Sequence, residues 1–124
     1  MGLLDEAGAH QELARRQDLK QALVSFLLHN GYMKGPASDP RDVLKATLSF
    51  LSLGSAPVIM VNLEDLWLES EPQNIPGTGQ ERPNWRRKAR HSFEVFSEMP
   101  QVVDMLREVN RLQGEVKGND RRRE

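Results

Sequence analysis

The apolar positions of this chain fall into four stripes of helical period, interrupted once by a short run of another kind. From about Asp5 to Asn30, Leu13, Leu19, Leu23, Phe26 and Leu27 line one side, and Val24 and Leu28 widen it, which predicts an amphipathic helix buried mainly along its second half. Asn30-Gly31 supplies the stop, since glycine reaches the left-handed conformation at a helix end without steric cost. After a loop containing Gly35-Pro36, Asp39-Pro40 reads as a cap followed by proline in the first turn. Val43, Leu44, Thr47, Leu48 and Leu51 then carry a second helix that Gly54 ends. Trp85, Ala89, Ser92, Phe93 and Phe96 predict a third helix from about Asn84 to Glu98, with Asn84 as its cap. Beyond Pro100, a fourth is traced by Val102, Val103, Met105, Leu106, Val109 and Leu112 and closed by Gly114.

The exception is Val58 to Val61, a short run rich in β-branched residues behind Pro57. Its length and composition predict one buried strand rather than a helix. The helix before it and the tight turn Gly54 to Pro57 make this the αβ half of a βαβ unit, which belongs in a parallel sheet. A buried parallel strand needs neighbours on both sides, and no second strand is legible. The expected fold is therefore mostly α with one short β-strand, incomplete on its own. Residues 1–114 form the folded part, and residues 115–124, with Arg121 to Arg123, form a tail too poor in apolar residues to fold.

Composition narrows the function classes. Seventeen Lys and Arg against eighteen Asp and Glu give a net charge of −1, so no bulk field recruits nucleic acid or a membrane surface. The apolar share of 38% is low for a self-sufficient core. The absence of cysteine removes disulfides, thiolate nucleophiles and thiolate metal sites together. No apolar run approaches the roughly 20 residues of a membrane span, and Met1 to His10 lacks the pattern of a signal peptide, so a cytoplasmic location is the default.

The stretch PQNIPGTGQERPNWRRKAR from Pro72 to Arg90, preceded by VNLEDLW, resembles the carboxyl-terminal signature of the 4-α-glucanotransferases, the amylomaltase or disproportionating-enzyme family. Asn-x-Pro-Gly-Thr followed by Pro-Asn-Trp-Arg-Arg is long and chemically unusual. The likeness is plainest from Val61 to Lys88 and extends over about Gln11 to Arg111. It implies an enzyme on a (β/α)8 TIM barrel that cleaves an α-1,4-glucan, holds the glycosyl portion covalently and passes it to another sugar hydroxyl, with no metal or organic cofactor. Val58 to Val61 would be the last barrel strand and the chain the final βα portion of the barrel. Retaining transfer needs two carboxyl groups about 5 Å apart. By the resemblance these, and a third carboxylate that steadies the transition state, lie before residue 1, so no catalytic residue is assigned here. The implied partners are an α-1,4-glucan or maltooligosaccharide and the missing amino-terminal portion of the barrel.

Of the local polar residues, Asn74, Gly77 and Thr78 are the candidates for substrate binding. An asparagine amide offers donor and acceptor to sugar hydroxyls, Gly77 permits the turn, and Pro76 stiffens it; the competing role is a turn that only closes the barrel mouth. Glu64 and Asp65 follow the strand directly, but adjacent residues point apart, so capping or loop anchoring is expected of them. Glu69 and Glu71 read as solvated loop charges. Trp85 with Arg86 and Arg87 admits a sugar-stacking or phosphate-binding patch, but a tryptophan at the start of an amphipathic helix is more often core, and the arginines are expected to pair nearby acids such as Glu81. His10, His29 and His91 lack the spacing and acid partners of a zinc site. A second reading, of another class, packs the helical stripes into a small bundle that binds a partner or a glucan without enzymatic activity.

Overall fold

The computed structural model describes residues 5–36, 39–82 and 84–120. Along it run α1 (Glu6–His29), α2 (Pro40–Ser52), a 3-10 helix (Leu63–Trp67), the single-turn α3 (Phe93–Phe96) and α4 (Pro100–Asp120).

The helix boundaries follow the capping chemistry of the sequence. Asp5 accepts the Gly8 N–H at 2.8 Å to start α1. At its end the Asn30 amide donates to Phe26 O at 2.8 Å, and Gly31 turns the chain away at φ 76°. Asp39 caps α2 by accepting the Arg41 N–H at 2.9 Å, with Pro40 in the first turn. In contrast, α4 passes through Gly114 and continues to Asp120, where the sequence pattern begins a tail. Arg111 accounts for part of this, since it pairs with Glu108 at 2.8 Å on one side of the glycine and with Glu115 on the other. Arg121 to Glu124 lie outside the described residues.

The core sits where α2, the 3-10 helix and α4 meet. Leu48, Leu66, Trp67, Val102 and Val109 form its centre, with Leu44, Ile59, Val61, Phe96, Met99 and Met105 packed around them. Trp67 lies edge-on to His91 at 5.3 Å. α1 joins this body only at its carboxyl-terminal end. Leu27 is buried, and Phe26 meets the Phe50 ring edge-on at 5.1 Å. Leu13, Leu19 and Leu23 are exposed, so the expected burial of the second half of α1 is confined to its last turns.

Two expectations are corrected. Val58 to Val61 is not a strand: no β-strand occurs among the described residues, and the segment between α2 and the 3-10 helix is irregular chain. Its side chains still alternate. Ile59 and Val61 pack on the core, whereas Val58 is 71% and Met60 91% exposed. A strand exists only by pairing, and no second one runs beside this segment. The TIM-barrel portion expected around it is accordingly not seen. The helix expected from Asn84 to Glu98 shrinks to Phe93–Phe96. Asn84 does not cap it, and Trp85, expected in the core, has φ 60° and is 74% exposed. The loop before it has recruited both residues for another purpose.

Candidate functional site

That loop runs from Leu68 to Arg90 and is held by polar bonds in place of secondary structure. Ile75-Pro76-Gly77-Thr78 forms a tight turn in which the Thr78 N–H donates to Ile75 O at 3.2 Å. Proline stands second in the turn and Gly77 third at φ 81°, the backbone a type II turn requires. The Asn84 side chain closes it from the other limb: its Oδ1 accepts the Ile75 N–H at 3.0 Å and its Nδ2 donates to Thr78 Oγ1 at 2.9 Å. The Trp85 N–H then donates to Gln73 O at 2.8 Å. With both neighbours tied to residues 73–78, Asn84-Trp85 cannot open a helix, and the indole is carried outward.

The base of the loop is an ion-pair network centred on Arg87. Its guanidinium reaches Glu64 at 3.1 Å, Glu69 at 3.5 Å and the Glu71 carbonyl at 2.5 Å. Arg90 binds Glu69 from a second direction at 3.1 Å, and the Gln73 amide donates to Glu64 at 2.9 Å. Glu64 therefore anchors the loop, as expected of it, and Asp65 accepts from the Asn62 amide at 2.9 Å. Glu69 is a correction. Its side chain is only 3% exposed, because two arginines converge on it. The Glu71 N–H, bonded to its carboxylate at 3.0 Å, is the largest influence holding its pKa below the ordinary value, and Arg90 and Arg87 add to this against the opposing effect of burial. Arg87 pairs with acids as anticipated, but its partners are Glu64 and Glu69. Glu81 instead turns back to accept the Gly79 N–H at 2.8 Å.

Above this base lies a cleft of about 460 Å³ lined by Asn62, Asp65, Gln73, Asn74 and Trp85 among others. The three candidate residues now separate. Asn74 lines the cleft, and its amide makes no hydrogen bond with any other described residue. Gly77 is exposed at the turn. Thr78 spends its hydroxyl on Ile75 O at 2.7 Å and on Asn84, so its role is to brace the turn. Trp85, exposed rather than in the core, lines the same cleft as Asn74. The signal for it in the sequence was its place directly after Pro-Asn, next to a loop rich in hydrogen-bonding side chains.

An exposed indole beside an amide and carboxylates is a surface suited to a sugar, whose rings stack on aromatic faces and whose hydroxyls both donate and accept. The comparison with protein families agrees with this chemistry: the family model described as 4-alpha-glucanotransferase matches residues 8–93. The chain belongs to the 4-alpha-glucanotransferase family. No curated protein and no solved structure gives a match. The matched span of this 4-alpha-glucanotransferase-family chain takes in all of α1 but its first two residues, α2, the core-forming 3-10 helix and the whole Arg87-anchored loop, and ends at Phe93 where α3 begins.

Proposed function

We propose that this chain is the saccharide-binding carboxyl-terminal portion of a 4-α-glucanotransferase-like enzyme. It presents a stretch of α-1,4-glucan to catalytic carboxylates carried on polypeptide outside these residues. Trp85 stacks on a glucose ring, and the Asn74 amide binds ring hydroxyls, while Thr78 and Gly77 hold the turn that aims Asn74. The observation that carries the reading is the pairing of an exposed tryptophan with an uncommitted amide in one cleft of the family-matched segment.

None of the local carboxylates is suited to act as nucleophile or acid. Glu64 and Glu69 are engaged by arginines and Asp65 is bonded to Asn62, so these carboxylates serve the loop rather than a substrate. The chain alone is therefore expected to bind glucan without transferring it. Its complement is the remainder of a barrel, which would pair with residues 58–61 and cover Val58 and Met60.

The test is calorimetric titration of the full chain with maltohexaose, alongside a disproportionation assay on maltotriose. Binding that falls at least tenfold in Trp85→Ala and in Asn74→Ala, with no transfer, supports the reading. Transfer by the chain alone, or binding indifferent to both substitutions, overturns it.

A further inference from the structure

The segment from Arg82 to Arg90 carries five cations, Arg82, Arg86, Arg87, Lys88 and Arg90, and they have unequal fates. Arg87 and Arg90 are spent on Glu64 and Glu69. Arg82 and Arg86 make no ion pair with any other described residue, and both are exposed. They line one cleft of about 590 Å³ together with Gly79, Gln80 and Asn84. The acid nearest in sequence, Glu81, is turned back onto the Gly79 N–H at 2.8 Å, and Asn84 is committed to Ile75 and Thr78. What the cleft offers a ligand is two guanidinium forks, whose planar N–H groups match the oxygens of a phosphate.

This basic cleft adjoins the site described above. Residues 84–86 form the ridge between the two, with Trp85 lining one side and Asn84 and Arg86 the other. The charges on the two sides differ. The Trp85 side holds Glu64, Asp65, Glu69 and Glu71, of which Arg87 and Arg90 offset only part. A polyanion such as single-stranded RNA would carry phosphates over both sides and be repelled by the acidic one. A neutral polyhydroxyl body bearing a single phosphate satisfies both: its hydroxyls meet carboxylates and the Asn74 amide, and its one anionic group, with a charge of about −1.5 to −2 at neutral pH, meets the two arginines.

We propose that the site takes a saccharide carrying a phosphate monoester, with a sugar ring on Trp85 and the phosphate between Arg82 and Arg86. This deepens the saccharide reading and rests on it. The substrate class it names is a phosphorylated α-glucan or maltooligosaccharide, and binding involves no covalent step.

The test is calorimetric titration of the full chain with maltopentaose and with maltopentaose bearing one 6-phosphate, at low and at high ionic strength. The phosphorylated ligand should bind about tenfold more tightly at low salt, and the ratio should shrink as salt screens the pair. In the Arg82→Gln/Arg86→Gln double variant the ratio should fall to about one, while Arg86→Lys should keep part of it, because a charge remains and the fork is lost. Equal binding of both ligands, a ratio unchanged in the double variant, or tighter binding of an oligoadenylate than of the phosphorylated sugar overturns the proposal. If neutral maltopentaose binds and phosphate adds nothing, the saccharide reading stands without the phosphate. If neither sugar binds, both fall.

Discussion

Arg87 does three things at one point in space: it neutralises Glu69, orients Glu64 and closes on the Glu71 carbonyl. Replacing it with methionine removes the cation that Glu64 and Glu69 share, leaving Glu64 with no arginine and Glu69, 3% exposed, with Arg90 alone. Arg87→Met is therefore expected to lower the thermal midpoint clearly more than Arg16→Met, whose ion pair with Glu12 at 3.0 Å lies on the surface of α1. Parallel melting curves of the two variants check this. Glu69 also makes the fold sensitive to acid. Its pKa is lowered in the folded state from an ordinary 4.5. The stability it contributes is thus complete above that value and is lost as pH falls through the lower folded one. Asp39, Glu81, Glu94 and Glu108 are shifted in the same direction, so the wild type should weaken steadily below about pH 4.5. The part due to Glu69 appears as the difference from Glu69→Gln: urea midpoints of the two should converge as the pH drops.

Among the elements, the glycines in the turn and in α4 have opposite expectations. Gly77 stands at φ 81°, a region where any side chain is strained, so Gly77→Ala should cost about 1 kcal/mol and loosen the turn that Thr78 and Asn84 brace. Gly114 lies within α4 with no atom within 4 Å of where a Cβ would stand. Gly114→Ala should therefore stabilise by about 1 kcal/mol, read as an upward shift in the urea midpoint. The sequence made α1, α2 and α4 legible because their signals are local: Asp39-Pro40, Asn30-Gly31 and a period of three to four. What it misread depends on distant partners. Val58 to Val61 has the composition of a strand, but pairing is a property of two segments, so the composition alone could not deliver one. Asn84 and Trp85 look like a helix start until Ile75, Thr78 and Gln73 take up their hydrogen bonds. Within the cleft, the place of Asn74 in an irregular loop was legible from Pro76 and Gly77 beside it. The exposure of Trp85 was not, because a tryptophan in an amphipathic stripe is far more often buried, and what turns it outward is the bonding of Asn84 and its own N–H to residues 73–78.

For the whole molecule, the distribution of apolar side chains is the informative quantity. Among the described residues, eight apolar side chains are buried and fourteen large ones are exposed, including Phe93, Val95, Val58 and Met60. A surface of that kind expects a partner. Val58→Asp with Met60→Asp should raise solubility and suppress self-association at high concentration, measured by analytical ultracentrifugation, with little change in the thermal midpoint, because both side chains already face water. Leu66→Ala tests the opposite side of the balance. Leu66 is almost fully enclosed at the centre of the small core, and its truncation should cost about 2–5 kcal/mol. For a core this size that loss should be enough to abolish cooperative unfolding.

The unequal anchoring of α1 has a consequence for time rather than for energy alone. Its last turns are held by the burial of Leu27 and the edge-on packing of Phe26 on Phe50, which Tyr32 also meets, whereas among the described residues the stretch from Glu6 to Leu23 is kept wound mainly by its own ladder, the Asp5 cap, the His10 ring on Glu6 O and the Glu12–Arg16 pair. Deuterium should therefore enter the amides of α1 as a gradient, within seconds near Glu6 and far more slowly near Leu27, at a rate set by local fraying rather than by global unfolding. Any polypeptide that covers Leu13, Leu19 and Leu23 will flatten that gradient, so the exchange profile of this one helix becomes a gauge of assembly.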